Sequence, residues 1–546
     1  MVPWMQGYDP LQNQFLSTFA AALPLLVLAF LLGIKRMATH KAVPVSWVFA
    51  AAVGILVYKM PAKLVGLSTL LGVLNGLMIM YIIVAAILFY NVLVETKQFD
   101  VIKGSLASLS NDRRLQAILI AFAFGTLLEA IAGGGTPVAI TAAMLVGMGF
   151  DSFYAARLCL LTNTAPVVFG AIGIAVVMLS TVTGLPLQAL SAMCGRQTPI
   201  LSLLIPIILV WIMAGRQGLK GVWPAAIGVG VVFASTQSLV ANFIGPYLPD
   251  VIGSIVTILF AIGLLRVWRP KEDWRFPKET GSAALSAGAA RKYSTGELVN
   301  AWYPFLILVA IVGLWGSPGF LKILNHWTVN VPIAGLDKAV LRMPPIVPKA
   351  SPYPAVFGFN WLSSPGTAVL LTAVLSAVFQ PKGLSIVGRQ LGKTLHQLRY
   401  AIFTGAAVLA FAWVMNYGAM TSTLAIAFAL TGRLFPFFSA FLGWLGVFLT
   451  GSDTSSNALF GNLQIVTARQ VGISEVLAAA TNGTGGSLGK MISPISLAVA
   501  ASATGLVGKE GELFRSVLKY SLILTAVMGI IATLQAYVFK GMIPVP

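Results

Sequence analysis

Sixteen Asp and Glu residues are spread along this chain, yet only Glu129 and Asp453 lie deep inside apolar runs. An apolar medium disfavours the ionised form of a carboxyl, so an acid kept there is suited to taking up and releasing a proton. Each acid stands beside a cluster of small polar residues. Gly133, Gly134, Gly135 and Thr136 follow Glu129, while Asp453 sits within Gly451-Ser452-Asp453-Thr454-Ser455-Ser456-Asn457. A structural acid that caps a helix or pairs with a cation is the alternative, and the Ser/Thr-rich setting of Asp453 suits capping.

The runs that hold these acids have an uncommon shape. Residues 115–150 and 434–468 carry one charged residue each, and each is interrupted halfway by its small polar cluster. Removing the cluster leaves arms of roughly 15 residues, about 22 Å of helix, against about 30 Å of hydrocarbon to be crossed. Both segments are therefore predicted to be re-entrant hairpins. Behind each comes a long apolar stretch broken near its middle: 152–185 at Thr162-Asn163-Thr164-Ala165-Pro166, and 475–507 at Thr481-Asn482-Gly483-Thr484-Gly485-Gly486-Ser487. A Thr-Asn pair thus follows the tip by 30 residues in one half (Gly133 to Asn163) and by 31 in the other (Gly451 to Asn482). That spacing is an internal repeat.

Irregular backbone within a bilayer is tolerated only where it is buried in protein or lines a polar cavity, so four interruptions imply one shared cavity. Half-helices predicted to begin at Thr136, Thr164, Asn457 and Ser487 would aim unpaired N–H groups and about half a positive charge at an anion. Glycine lets the backbone approach closely, and Ser, Thr and Asn add the hydroxyl and amide partners that a 2-hydroxy acid needs. Small residues also serve plain close packing of membrane helices. Two inverted pairs of breaks favour the binding reading. The candidate substrate-binding residues are Gly133, Gly134, Gly135, Thr136, Thr162, Asn163, Thr164, Ser452, Thr454, Ser455, Ser456, Asn457, Thr481, Asn482, Gly483, Thr484, Gly485 and Ser487, with Glu129 and Asp453 as proton carriers. Arg157 and Lys490 are the nearest basic residues and candidate partners for substrate or acids, since a lone buried charge is costly. Arg469 and Asp151 fall at segment ends and read as interface markers, and His326 and His396 fall in predicted loops and receive no role.

The elements that position these residues follow from composition. Hydrophobic residues make up 58% of the chain and charged ones 9%, against roughly 25% charged in soluble domains, so lipid must solvate most of it. Apolar stretches long enough to span recur, among them 15–34, 64–94, 198–215, 249–265, 398–417 and 516–539. No Lys or Arg precedes the first, which reads as a retained span rather than a signal peptide. Cys159 and Cys194 have no metal-like or disulfide spacing, and no cofactor is expected. The net charge of +19 collects in short loops at 35–41, 97–114, 266–292, 382–399 and 509–519, which is the cytoplasmic signature of membrane proteins rather than a nucleic-acid surface. Placing those loops inside puts both termini and the Pro-rich 317–358 segment outside and gives about twelve crossings. The first hairpin then starts from the cytoplasm and the second from outside. The expected fold is an all-α polytopic membrane protein of two inverted halves, 1–268 and 299–546, joined by a cytoplasmic linker at 269–298.

The strings LLEAIAGGGTPVAI from Leu127, LCLLTNTAPVVFGAIG from Leu158, FLTGSDTSSNALFGNLQ from Phe448 and ATNGTGGSLGKMISP from Ala480 resemble those of the bacterial lactate and glycolate permeases. The likeness covers essentially the whole chain. It implies uptake of L-lactate, also D-lactate and glycolate, by proton symport across the bacterial inner membrane, and kinship with transporters that move a transport domain like an elevator. The partners implied are a small monocarboxylate, protons and the lipid bilayer. A sodium-coupled di- or tricarboxylate transporter is the competing reading, because small polar tips also suit sodium. Enzyme motifs such as HExxH, an in-register GxSxG, a Walker loop or a Rossmann fingerprint do not occur.

Overall fold

The computed structural model describes residues 3–276 and 293–545. Residues 277–292, the middle of the predicted 269–298 linker, lie outside the described residues. Among the described residues, ten helices are long and apolar enough to cross a membrane, or eleven if the bent pair Ser152–Thr162 and Val167–Thr183 counts as one. One of the ten, Leu187–Phe243, has 57 residues and would measure about 86 Å if straight. It doubles back instead. Gly215 takes a φ of 62°, Val222 departs from helical angles, and Ser191 and Ser202 on the first arm bond to the Ala241 carbonyl and to Gln237 on the second.

Each predicted hairpin segment forms a helix, a tip and a second helix, but the first arms, Arg113–Ile131 and Gly432–Thr450, have 19 residues each and are long enough to cross a membrane, not the roughly 15 expected. In the first, Arg113–Ile131 is followed by Thr136–Gly147. In the second, Phe435–Thr450 is followed by Asp453–Val471. The first is anchored to the chain after helix Pro249–Val267: Asp112 Oδ2 accepts the Trp274 N–H at 3.0 Å, and Phe150 stacks edge-on against Phe276. The second is anchored to the Pro-rich segment, where Gln470 donates to the Pro345 carbonyl at 2.7 Å.

That Pro-rich segment carries two small sheets: Val329–Pro332 pairs antiparallel with Val356–Phe359, and Val340–Arg342 lies between Trp4–Met5 and Ser351–Pro352. The N-terminal strand and the 317–358 segment therefore share one face. Two long helices, Ala62–Glu95 and Gly383–Tyr417, run antiparallel beside the hairpins and touch through backbone. A Cβ on Gly72 would fall 2.5 Å from Ala410 Cα, and one on Gly76 2.5 Å from Ala406 Cα. Small residues at such contacts supply the close packing that lipid cannot drive through the hydrophobic effect.

The two units are interleaved. The second arm of the first hairpin packs on Pro494–Thr504, behind the second hairpin, and the second arm of the second hairpin packs on Gly170–Thr183, behind the first.

Candidate functional site

Both tips are made by backbone that ordinary residues avoid. Gly133, Gly134 and Gly135 have φ of 54°, 61° and 93°, three consecutive left-handed residues, and they turn the chain before Thr136 opens the next helix. At the second tip Gly451, at φ 72°, ends one helix, and Ser452 caps the next by accepting the Ser455 N–H. The breaks behind the hairpins are also irregular. Helix Ser152–Thr162 ends at Asn163, and Ala171, Ile172 and Gly173 follow in left-handed conformation before the helix resumes. In the second half the chain narrows to a 3-10 turn at Lys490–Ile492, and Ser493 and Pro494 start a new helix.

These four irregular places meet around one cavity of about 440 Å³. Glu129, Gly133, Gly134 and Thr136 line it from the first tip, and Thr450 to Ser455 from the second. Val167, Gly170 and Ala171 line it from the first break, Lys490 and Ile495 from the second. Its opposite wall is the pair of long helices, at Gly76, Met80, Gln397, Ala401 and Gly405, and it reaches Thr39 in the first basic loop.

Three ionisable groups converge there. Glu129 is buried against glycine: a Cβ on Gly170 would fall 2.9 Å from its Oε1, and its Oε2 has no hydrogen-bond partner. Asn163 faces the Glu129 carboxyl. Asp453 sits in a second glycine seat. A Cβ on Gly486 would fall 2.4 Å from Oδ1 and one on Gly483 3.5 Å from Oδ2, and neither oxygen has a hydrogen-bond partner. Lys490 Nζ donates to the Gly451 carbonyl at 2.8 Å, and it is the cation that bears on both acids. An ammonium has three donors, so two remain for the cavity.

The cavity is thus built from the two tips and the two broken segments, and it holds one cation and two acids. The L-lactate permease family profile matches residues 17–539. This chain belongs to the L-lactate permease family. The L-lactate permease of Salmonella typhimurium is 48% identical over 551 residues, covering 99% of this chain and 100% of the relative. The glycolate permease of Escherichia coli is 45% identical over 563 residues with both chains fully covered, and the L-lactate permease of Bacillus subtilis is 44% identical over 561. A permease family and ten apolar helices together make this a multi-pass membrane protein.

Of the residues singled out in the sequence of this permease, Glu129, Gly133, Gly134, Thr136, Ser452, Asp453, Thr454, Ser455 and Lys490 line the cavity. Gly135 instead packs on Val499, and Thr162 and Thr164 return their hydroxyls to their own helix at Leu158 and Leu161. Several expectations are corrected. Thr481 to Ser487 do not break a helix; they lie inside the continuous Glu475–Gly489, and the break falls at residues 490–493. Gly485 serves packing, since a Cβ there would fall 2.3 Å from the Ala440 carbonyl oxygen, while Gly483 and Gly486 make room for Asp453. No proline interrupts them, and the helix runs on until Ser493 and Pro494 impose a new start.

The half-helices begin after Gly173, at Asp453 and at Pro494 rather than at Thr164, Asn457 and Ser487; only the start at Thr136 is as expected. Asn457 and Asn482 are spent on a buried network: Asn482 Nδ2 donates to Asn457 Oδ1 at 2.8 Å, Gln464 to Asn482 Oδ1 at 3.0 Å, and Asn457 to the Ala175 carbonyl at 2.9 Å. Thr481 and Thr484 bond to Gln197, Ser456 to the Gly443 carbonyl, and Ser487 to the Gly483 carbonyl. Arg157 is not a cavity residue either. It donates to Tyr520 Oη at 3.1 Å and lies 5.4 Å over the Tyr520 ring.

One acid was missed. Asp250 is 1% exposed, accepts from Gln237 Nε2 at 2.7 Å and has a second oxygen without a partner. In sequence it follows Pro249 at the start of a span, where an acid reads as a helix-end charge. Its burial comes from tertiary packing.

Proposed function

We propose that this permease imports lactate and glycolate, each as a monocarboxylate anion accompanied by a proton, across the bacterial inner membrane. Lys490 carries the reading: a buried ammonium with two uncommitted donors, set between two acids where both tips and both breaks meet. It supplies the countercharge for one carboxylate. The N–H groups opening helices at Thr136 and Asp453 supply donors, and the hydroxyls of Thr136, Ser452, Thr454 and Ser455 suit a 2-hydroxyl group.

Charge balance gives the reason for coupling. One cation against two ionised carboxylates already leaves the cavity negative, and an arriving anion adds to that. Uncompensated charge in a buried site costs several kcal/mol, which a proton on Glu129 or Asp453 offsets before the site moves. A single buried cation also fits a monocarboxylate better than a substrate with two or three carboxylates.

The basic loops define the cytoplasmic face, so the termini and the 317–358 segment face outside, and the cavity, reaching Thr39 and Gln397, faces the cytoplasm. The hairpins and broken helices form the moving unit, and the long helices Ala62–Glu95 and Gly383–Tyr417 form the wall past which it slides.

The test is uptake into proteoliposomes under an imposed pH gradient, with and without sodium. Glu129→Gln or Asp453→Asn is expected to abolish uphill lactate accumulation while leaving exchange of labelled for unlabelled lactate measurable. Unchanged uphill accumulation in both variants, or accumulation that needs sodium instead of a proton gradient, would refute the proposal.

A further inference from the structure

Glu129 has a second buried acid behind it, Asp250, which does not line the substrate cavity. Helix Pro249–Val267 packs against Arg113–Ile131, and the register between them is set by Ser254 Oγ donating to Thr126 Oγ1 at 2.9 Å. One turn from that bond on the first hairpin stands Glu129. One turn from it in the antiparallel sense on the other helix stands Asp250. A helical turn is about 5.4 Å, so both carboxyls are displaced by the same step toward the same end of the pair.

The two acids also share an unusual feature. Oε2 of Glu129 and Oδ2 of Asp250 are both buried and both without a hydrogen-bond partner. Asp250 is absent from the cavity lining, whereas Glu129 forms part of it. Glu129 is the charged group that bears on Asp250 from the elements packed against it, and Lys490 bears on Glu129 from the cavity side.

Behind Asp250 runs a chain of neutral donors: Gln237 Nε2 donates to Asp250 Oδ1 at 2.7 Å, and Ser202 Oγ donates to Gln237 Oε1 at 2.8 Å. Such a chain stabilises a carboxylate at Asp250 without a countercharge. Asp250 also lies three residues beyond Tyr247. The Tyr247 ring meets Gly316, where the chain leaves the bundle for the 317–358 segment, and Tyr247 lines a separate cavity of about 460 Å³ shared with Asn360, Ser363 and Ser364. Asp250 therefore stands between that face and Glu129, while the substrate cavity reaches the other face at Thr39.

We propose that Asp250 and Glu129 form a carboxyl pair that carries the transported proton, with Asp250 loading from the face of the 317–358 segment and Glu129 unloading into the substrate cavity. In the transfer the Asp250 acid gives its proton to the Glu129 carboxylate, directly or through one bridging water. The Asp250 carboxylate left behind is held by Gln237. Reloading Asp250 from the opposite face resets the pair. The inference rests on the proton-coupled reading given above and assigns that coupling a second acid outside the anion site.

The experiment measures, in proteoliposomes containing a trapped pH dye, both lactate counterflow and proton uptake driven by a lactate gradient. Asn at position 250 still offers an oxygen to Gln237, so Asp250→Asn is expected to keep counterflow close to wild type and to reduce lactate-driven proton uptake about a hundredfold. Asp250→Glu restores coupling. Should Asp250→Asn fail to fold, Gln237→Leu leaves both acids in place and is expected to reduce proton uptake while sparing counterflow.

Coupling as in wild type in the variant that folds overturns the pair. Loss of counterflow and coupling together, not restored by Asp250→Glu, marks a purely structural residue and overturns it as well. Wild-type protein that moves lactate with no proton overturns the symport reading itself, a result distinct from either of these.

Discussion

The Lys490 ammonium donates to the Gly451 carbonyl at 2.8 Å, which ties the break behind the second hairpin to that hairpin's own tip. No carboxylate among the described residues comes within ion-pair distance of this lysine, although Glu129 and Asp453 both feel its charge. The cation is held by a neutral oxygen, and its two remaining donors are uncommitted. Replacement by Met keeps the length and apolar stem but removes the charge. Lys490→Met is expected to weaken lactate binding by about 1.5–3 kcal/mol, roughly tenfold to a hundredfold. Equilibrium binding of labelled lactate to purified protein measures this, and unchanged affinity would remove Lys490 from the site.

Adjacent glycines on helix Glu475–Gly489 should fail differently. A methyl on Gly486 meets the Asp453 carboxyl at 2.4 Å, whereas a methyl on Gly485 meets Ala440 backbone at 2.3 Å. A side chain can swing away and a packed backbone cannot. Gly486→Ala is expected to fold and to lose uptake, because the acid is pushed from its seat. Gly485→Ala is expected to lose about 1–3 kcal/mol of stability through overpacking. Thermal unfolding in detergent and uptake assays separate the two, and equal losses in both readouts would contradict the distinction.

The tips were legible in the sequence because Gly133-Gly134-Gly135 does not continue a helix, but the arm lengths were not: Arg113–Ile131 and Gly432–Thr450 have 19 residues each, enough to cross a membrane, where arms of roughly 15 were expected. The acids beside the tips were legible because an apolar run makes a lone charge conspicuous. The second break was misplaced because Gly483, Gly485 and Gly486 look the same whether glycine unwinds a helix or lets it press against a neighbour. Which of these holds depends on Ala440 and Val447, some forty residues away. Asn482 could not be sorted from cavity residues because its partners, Gln464 and Asn457, are tertiary. Asp250 was hidden for the opposite reason: beside Pro249 it has the look of an ordinary first-turn acid, and only packing buries it.

Asn482 and Ser455 give a paired test of that sorting. Asn482 completes a buried network, so Asn482→Ala strands Gln464 and Asn457 and should cost about 1–3 kcal/mol of stability with little change in lactate affinity of the folded protein. Ser455 lines the cavity, and Ser455→Ala should cost about 1 kcal/mol of binding with little change in stability. Melting curves and binding isotherms for the two variants should therefore move in complementary ways; a large affinity loss in Asn482→Ala with an unchanged Tm would return it to the site.

Arg157 makes the sharpest contrast with Lys490, because sequence position offered the two as equals. The guanidinium lies over the Tyr520 ring and donates to its hydroxyl, joining helix Ser152–Thr162 to Glu510–Tyr537 away from the cavity. A cation over an aromatic face contributes about 0.5–2 kcal/mol, and the hydrogen bond adds a comparable amount. Arg157→Met retains much of the packing and is expected to lower stability by about 1–2 kcal/mol while leaving lactate affinity and proton coupling unchanged. Tyr520→Phe keeps the ring and removes only the hydroxyl, so its loss should be the smaller of the two. Binding isotherms and melting curves decide the matter: a tenfold fall in lactate affinity for Arg157→Met at an unchanged Tm would mean that this arginine reaches the anion after all, in a conformation in which the two helices have parted.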